Sequence, residues 1–202
     1  MNRTVRKTSL ALLAVAAIIG LAHPAAAQAP KFEAPVLVTS CGQSIAPIML
    51  KVFLQKLQVE FEVNALATAD DLLAKKQAGK PYKTLIITMG ASLKGMGAAG
   101  IAIDDELERT AALIAAARKE GIKIIGAHIE GLKRRAQGAA AGDTTDEQSI
   151  DAVAPLADLL LLNKEGNSDG RFSVIAKAKG IPLVEVEKNV DLITELGKLF
   201  GK

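Results

Sequence analysis

The stretch Val36-Leu37-Val38-Thr39-Ser40-Cys41-Gly42-Gln43-Ser44 decides the fold of this 202-residue chain. An apolar strand core, Val36 to Val38, runs into small polar residues, a cysteine and a glycine, and an amphipathic segment follows. This is a buried strand handing over to a helix N-terminus, where backbone N–H groups and the positive end of the helix dipole collect. The helix is expected over 44–58: Ile45, Ile48, Val52, Phe53 and Leu57 recur at helical spacing, and Ser44 is placed to cap it.

The same unit repeats along the chain. Strands are expected at 35–39, 61–63, 83–89, 123–129, 158–162 and 182–187. A second helix starts in a capping-box-like pattern at Thr68 and stops at Gly79. Others are expected from Asp104 to Gly121, over 146–154 before Pro155, over 171–179 and over 190–200. Six strands alternating with single helices mean an α/β domain, a doubly wound and mainly parallel sheet with helices on both faces. TLIIT, IKIIGA and LLLL are near-continuous apolar runs, as strands covered on both faces require. FEV is short and alternating, and LVEVE alternates too, so the second and sixth strands read as edges. Edges there fit the flavodoxin-like order 2-1-3-4-5-6. The Rossmann-like dinucleotide order 3-2-1-4-5-6 would put the apolar third strand at an edge.

The first 27 residues read as a secretory signal peptide rather than as part of the domain. Arg3, Arg6 and Lys7 precede an apolar run, Leu10 to Leu21, and Ala25-Ala26-Ala27 offers a cleavage site before Gln28. The run is short for a membrane span. The expected organisation is a leader at 1–27, a linker at 28–34 and one domain at 35–202, periplasmic or secreted. Removing the leader takes away three of 25 basic residues and none of 22 acidic ones, so the mature charge is even. That gives no net electrostatic footprint for nucleic acid or an anionic membrane. Five Phe and one Tyr, scattered, argue against stacking on bases. Cys41 is the sole cysteine, which excludes an internal disulfide and leaves too few soft ligands for structural zinc.

In such a sheet a ligand crevice is expected at the carboxyl ends of the first and third strands. Two glycine-rich loops meet there. The candidate ligand-binding residues are Ser40, Cys41, Gly42, Gln43 and Ser44 from one loop and Gly90, Ser92, Lys94 and Gly95 from the other. Turns chosen for conformation alone would look the same. Residues 95–100 match GxGxxG, but they stand several residues past the third strand, so a lid or phosphate-contacting loop is expected rather than a dinucleotide site. Cys41 with His128 is the alternative catalytic pair, a thiol nucleophile and its base. The preferred strand order separates them by two strands, about 10 Å. Arg134, Arg135 and Asn163 on the same edge are secondary candidates, although Lys133 to Arg135 reads more readily as a solvated charge run on a loop. Glu165, Asn167 and Asp169 alternate like half a calcium loop whose closing acid is missing, so a turn with a helix cap is expected and no metal.

VLVTSCGQS, LATADDL, GASLKGMGAAGI-x-I-DDEL, IKIIGAHIEG and EGNSDG together resemble a secreted bacterial family carrying a domain of unknown function, DUF6305. The resemblance implies a common fold and export. It implies no activity, substrate or catalytic residue. The function expected is the binding of a small polar or anionic molecule at the edge of strands one and three, without a cofactor. The alternatives are a thiol-dependent hydrolase or transferase and an envelope interaction module docking through residues 133–142.

Overall fold

The computed structural model of the protein describes residues 30–138 and 144–202. The expected leader and residues 139–143 of the Ala/Gly loop lie outside the described residues. Six strands form one sheet: β1 (Val36–Cys41), β2 (Phe61–Val63), β3 (Thr84–Met89), β4 (Lys123–His128), β5 (Leu159–Asn163) and β6 (Leu183–Val186). Their order is β2-β1-β3-β4-β5-β6 and every pair is parallel. This is the flavodoxin-like winding, with the two weakest strands at the edges. Val36 stands opposite Thr84 and Cys41 opposite Met89, so β1 and β3 end level at the carboxyl edge.

Seven α-helices cover the sheet: α1 (Ala46–Lys56), α2 (Ala69–Gln77), α3 (Leu93–Ala99), α4 (Ile103–Lys119), α5 (Thr145–Val153), α6 (Arg171–Lys179) and α7 (Leu192–Phe200). Alternate strand residues point to opposite faces. Val36, Val38, Ile86, Ile125 and Leu161 pack on α1 and α7. Leu37, Leu85, Ile87, Ile124 and Leu160 pack on α2, α4, α5 and α6. Local signals set the helix starts. Thr68 and Asp71 form a reciprocal capping box at α2, with Thr68 N–H on Asp71 Oδ2 at 2.8 Å and Asp71 N–H on Thr68 Oγ1 at 3.3 Å. Asp104, Asp105 and Glu106 fill the first turn of α4, and Arg118 and Lys119 its last, as the helix dipole favours.

Three expectations are corrected. The glycine-rich segment after β3 is not an open loop: residues 93–99 form α3. Ser92 Oγ accepts the Gly95 N–H at 3.1 Å, Met96 is buried beneath, and Gly100 closes the helix in the left-handed region. A tight cap and one anchor outweigh the low helix propensity of its glycines. The buried face of α1 is also different. Ala46, Pro47, Leu50 and Leu54 face the sheet, while Ile45, Ile48 and Val52 are exposed. The segment is apolar on nearly every side, so two stripes at helical spacing compete, and the one carrying Leu50 and Leu54 is the one that packs. Finally, the expected linker is tied down at its described end. Phe32 is buried beside Phe200, its N–H donates to Leu199 O at 2.9 Å, and Thr84 Oγ1 donates to Glu33 O at 2.7 Å.

Candidate functional site

β1 delivers Thr39, Ser40 and Cys41 to the carboxyl edge, all buried. Gly42 and Gln43 follow with φ of 106° and 55°, a turn that throws the Gln43 side chain back toward α4. The two loops singled out from sequence do meet. Ser92 N–H donates to Gly42 O at 2.7 Å, and Gly90 N–H to Ser149 Oγ at 2.9 Å. A Cβ on Gly95 would stand 2.0 Å from Gln43 O, so only glycine allows α3 to lie this close to the turn. Ser44 is buried and its Oγ accepts the Ala46 N–H at 3.3 Å, while Lys94 is exposed.

What fills the meeting point is a side chain that the sequence reading missed. Glu106, from the first turn of α4, is fully buried. Its Oε2 accepts the Gly42 N–H at 2.6 Å and its Oε1 accepts Gln43 Nε2 at 3.0 Å. Arg109, one turn on, donates to both Glu106 oxygens at 3.1 Å, to Ala67 O at 2.6 Å and to Ser40 O. Gln43 Nε2 also reaches Ala65 O at 2.9 Å. Two of the donors expected to hold an anionic ligand, the Gly42 N–H and the Gln43 amide, therefore hold an internal carboxylate. That clamp ties β1, the chain after β2, and α4 together.

Cys41 and His128 are not brought together. β3 lies between their strands, which places the strands two spacings, about 10 Å, apart. Burial pushes the Cys41 thiol above its ordinary range, against partial relief from Thr110 and Ser149. A thiol held protonated is a poor nucleophile. His128 is buried with its ring 5.1 Å from that of Phe172, and its Nε2 donates to Arg134 O at 2.9 Å. Its Nδ1 faces the Gly166 backbone without a hydrogen bond. Burial depresses its pKa, and nearby Arg135 adds to the effect, so the ring is neutral near pH 7.

The cationic run after β4 is no solvated face. Arg134 spans Ala91 O at 3.0 Å and Glu130 Oε1 at 3.2 Å. Arg135 is buried, donating to Glu147 at 2.8 Å, to Asp169 at 2.6 Å and to Gly166 O. Burial opposes its charge, but Asp169 and Glu147 outweigh that and raise its pKa. Arg171 closes the network onto Glu147 and onto Asp151 at 2.5 Å. Lys133 is exposed. Asn163 ends β5, bonded to Asn189 at 3.0 Å and accepting the Glu165 N–H at 3.1 Å. Asn167 Oδ1 accepts the Phe172 N–H at 2.8 Å, so this turn caps α6 as expected. Among the described residues no group of three His, Cys, Asp or Glu side chains is placed to hold a metal ion.

A family model, domain of unknown function (DUF6305), matches residues 33–200. The chain belongs to the DUF6305 family. No curated protein matches it. Among solved structures, the REC domain of the RcsB response regulator from Salmonella enterica serovar Typhimurium is 14% identical, covering 81% of this chain and 98% of that one, at a TM-score of 0.33. A GDSL-like lipase from Bacteroides thetaiotaomicron is 17% identical over 74% of this chain and 66% of its own, with a TM-score of 0.33. A GDP-L-fucose synthetase from Naegleria fowleri bound to NADP is 10% identical over 79% of this chain and 51% of its own, with a TM-score of 0.36. At these scores none of them bears on what this DUF6305 chain does.

An open space at this edge lies beside the clamp. A cleft of about 410 Å³ separates the first turns of α2 and α4, lined by Thr68, Ala69, Asp70, Asp105, Glu108, Arg109 and Ala112. Arg109 is thus shared: its guanidinium is bonded in the clamp and the residue also lines the cleft. Asp105 accepts the Ala102 N–H at 3.0 Å. The i, i+3 spacing of Glu106 and Arg109 is the one local pattern that could have signalled the pair, and such spacings are common on exposed helix faces.

Proposed function

We propose that this DUF6305 protein binds a small polar ligand at the carboxyl edge of its sheet, in the cleft between the first turns of α2 and α4. The observation that carries the reading is the position of Arg109. It joins an open cleft of about 410 Å³ to the end of β1. The volume is in the usual range for small-molecule sites, and ligands of open α/β sheets bind outside the carboxyl ends of the strands. Asp70, Asp105 and Glu108 line the cleft against one arginine, four of whose five N–H donors are already engaged. That balance favours an amine-bearing or polyhydroxyl ligand. An anionic ligand at Gly42 would have to displace Glu106.

The test is a thermal-shift panel of amines, polyols and small anions on the parent, Asp70→Asn/Glu108→Gln and Lys94→Gln. A ligand at a hundred times its Kd stabilises by about 2.7 kcal/mol, roughly 5–10 °C for a chain of this size. The expected result is a shift with an amine or polyol that the double variant abolishes and Lys94→Gln leaves intact. A shift produced by anions alone, and lost in Lys94→Gln, would move the site to the β1/β3 loops and overturn this reading.

A further inference from the structure

Ile45, Ile48 and Val52 are 61%, 54% and 56% exposed and fall on one stripe of α1. Leu93, the first residue of α3, is 72% exposed. The first turn of α3 packs on the turn before α1, with Gly95 against Gln43 O, which brings the N-terminal ends of the two helices together. Lys51, Lys56 and Lys94 are exposed on the same two helices. Neither helix carries an acid: there is no Asp or Glu between Glu33 and Glu60, nor between Tyr82 and Asp104. On the adjoining α7, Glu195 is paired with Lys198 at 2.7 Å. An even overall charge does not cancel this patch, because at physiological salt charges act over about 8 Å.

We propose that this face docks on an anionic lipid surface. The stripe and Leu93 enter the headgroup region, and the three lysines meet lipid phosphates, as interfacial amphipathic helices do. Charge decides the occupant. A second copy laid stripe to stripe would set lysines against lysines, with no acid on either helix to offset them. A negatively charged bilayer offers the complementary sign and accepts projecting aliphatic side chains without needing a matched groove. The binding is peripheral, and no described helix is long and apolar enough to cross a membrane.

The experiment is co-sedimentation of the full-length chain with vesicles of phosphatidylcholine alone and of phosphatidylcholine mixed with phosphatidylglycerol. Parent and variants share residues 1–29, so differences between them read the patch. Three variants are compared: Ile48→Gln/Val52→Gln, Lys51→Gln/Lys94→Gln, and Leu156→Gln as an exposed apolar control on the other helix layer. The parent is expected to prefer the phosphatidylglycerol vesicles and to lose binding as salt is raised. Each lysine removed weakens the partition about fivefold, the aliphatic pair at least tenfold, and Leu156→Gln has no effect. The positions are exposed, so the thermal melts of all variants should match the parent. Equal partition of parent and patch variants, or equal binding to both vesicle types, would overturn the proposal. So would dimerisation in sedimentation equilibrium that Ile48→Gln/Val52→Gln abolishes while vesicle binding is unchanged.

Discussion

Glu106 is the residue on which the carboxyl edge depends. It is a fully buried carboxylate satisfied by a backbone N–H, an amide and a guanidinium. Removing one partner of such a set leaves a buried charge uncompensated, at a cost of about 3–5 kcal/mol. Glu106→Gln should therefore lower the urea midpoint by that equivalent, and a change below about 1 kcal/mol would show that the clamp is not structural. His128 gives a pH signature. Its folded pKa lies below the ordinary value, so the unfolded chain takes up the proton first as pH falls. Its contribution is full above about pH 6.5 and declines toward the lower folded value, with a slope of at most about 1.4 kcal/mol per pH unit. Asp146, raised by burial, and Asp169, lowered by Arg135, titrate on the acid side as well. The difference between parent and His128→Gln melts across pH 5 to 7 isolates the histidine, and identical slopes would refute the assignment. Cys41 should resist iodoacetamide in the native state at every pH where the fold holds, and react once denaturant opens the core. Rapid native labelling would revive the thiol nucleophile. Glu106, Glu147 and Arg171 were illegible because a buried charge is defined by partners far along the chain, and a single sequence carries no sign of which acids meet which bases.

The elements were legible where period and composition agreed. FEV and LVEV marked the edges because half-exposed strands must alternate, and β3 and β5 marked the centre because double coverage demands unbroken apolar runs. α3 was hidden because its glycines read as loop. One serves as helix interior against the Gln43 carbonyl and another ends the helix. This gives a paired prediction. Gly95→Ala forces a backbone contact and should destabilise by about 1–3 kcal/mol. Gly97→Ala, which meets open space, should be neutral or stabilise by up to about 1 kcal/mol. Denaturation midpoints moving together would show that α3 does not pack as described. The buried face of α1 is ambiguous in sequence because apolar residues surround the helix and more than one stripe keeps helical spacing. The helix turns Ala46, Pro47, Leu50 and Leu54 inward and leaves its β-branched stripe unpartnered.

At the scale of the molecule, strand order was the inference that reached function. It placed β3 between Cys41 and His128 and so separated the thiol from its only histidine within the domain. It also brought two glycine-rich loops to one edge, where the structure finds them in contact. The order alone did not tell that α4 would send a carboxylate and an arginine into the gap, which moves the open space one helix over, beside α2. Where a ligand sits along this one sheet edge is therefore the central question. The most direct measurement is a two-dimensional amide NMR titration of the isotopically labelled chain with the ligands that shift its melting point. Perturbations are expected at Thr68, Ala69, Asp70, Asp105, Glu108 and Arg109, with Ser92, Lys94 and Gly95 unmoved. Perturbations confined to Gly42, Ser92, Lys94 and Gly95, with the α2/α4 cleft silent, would contradict it.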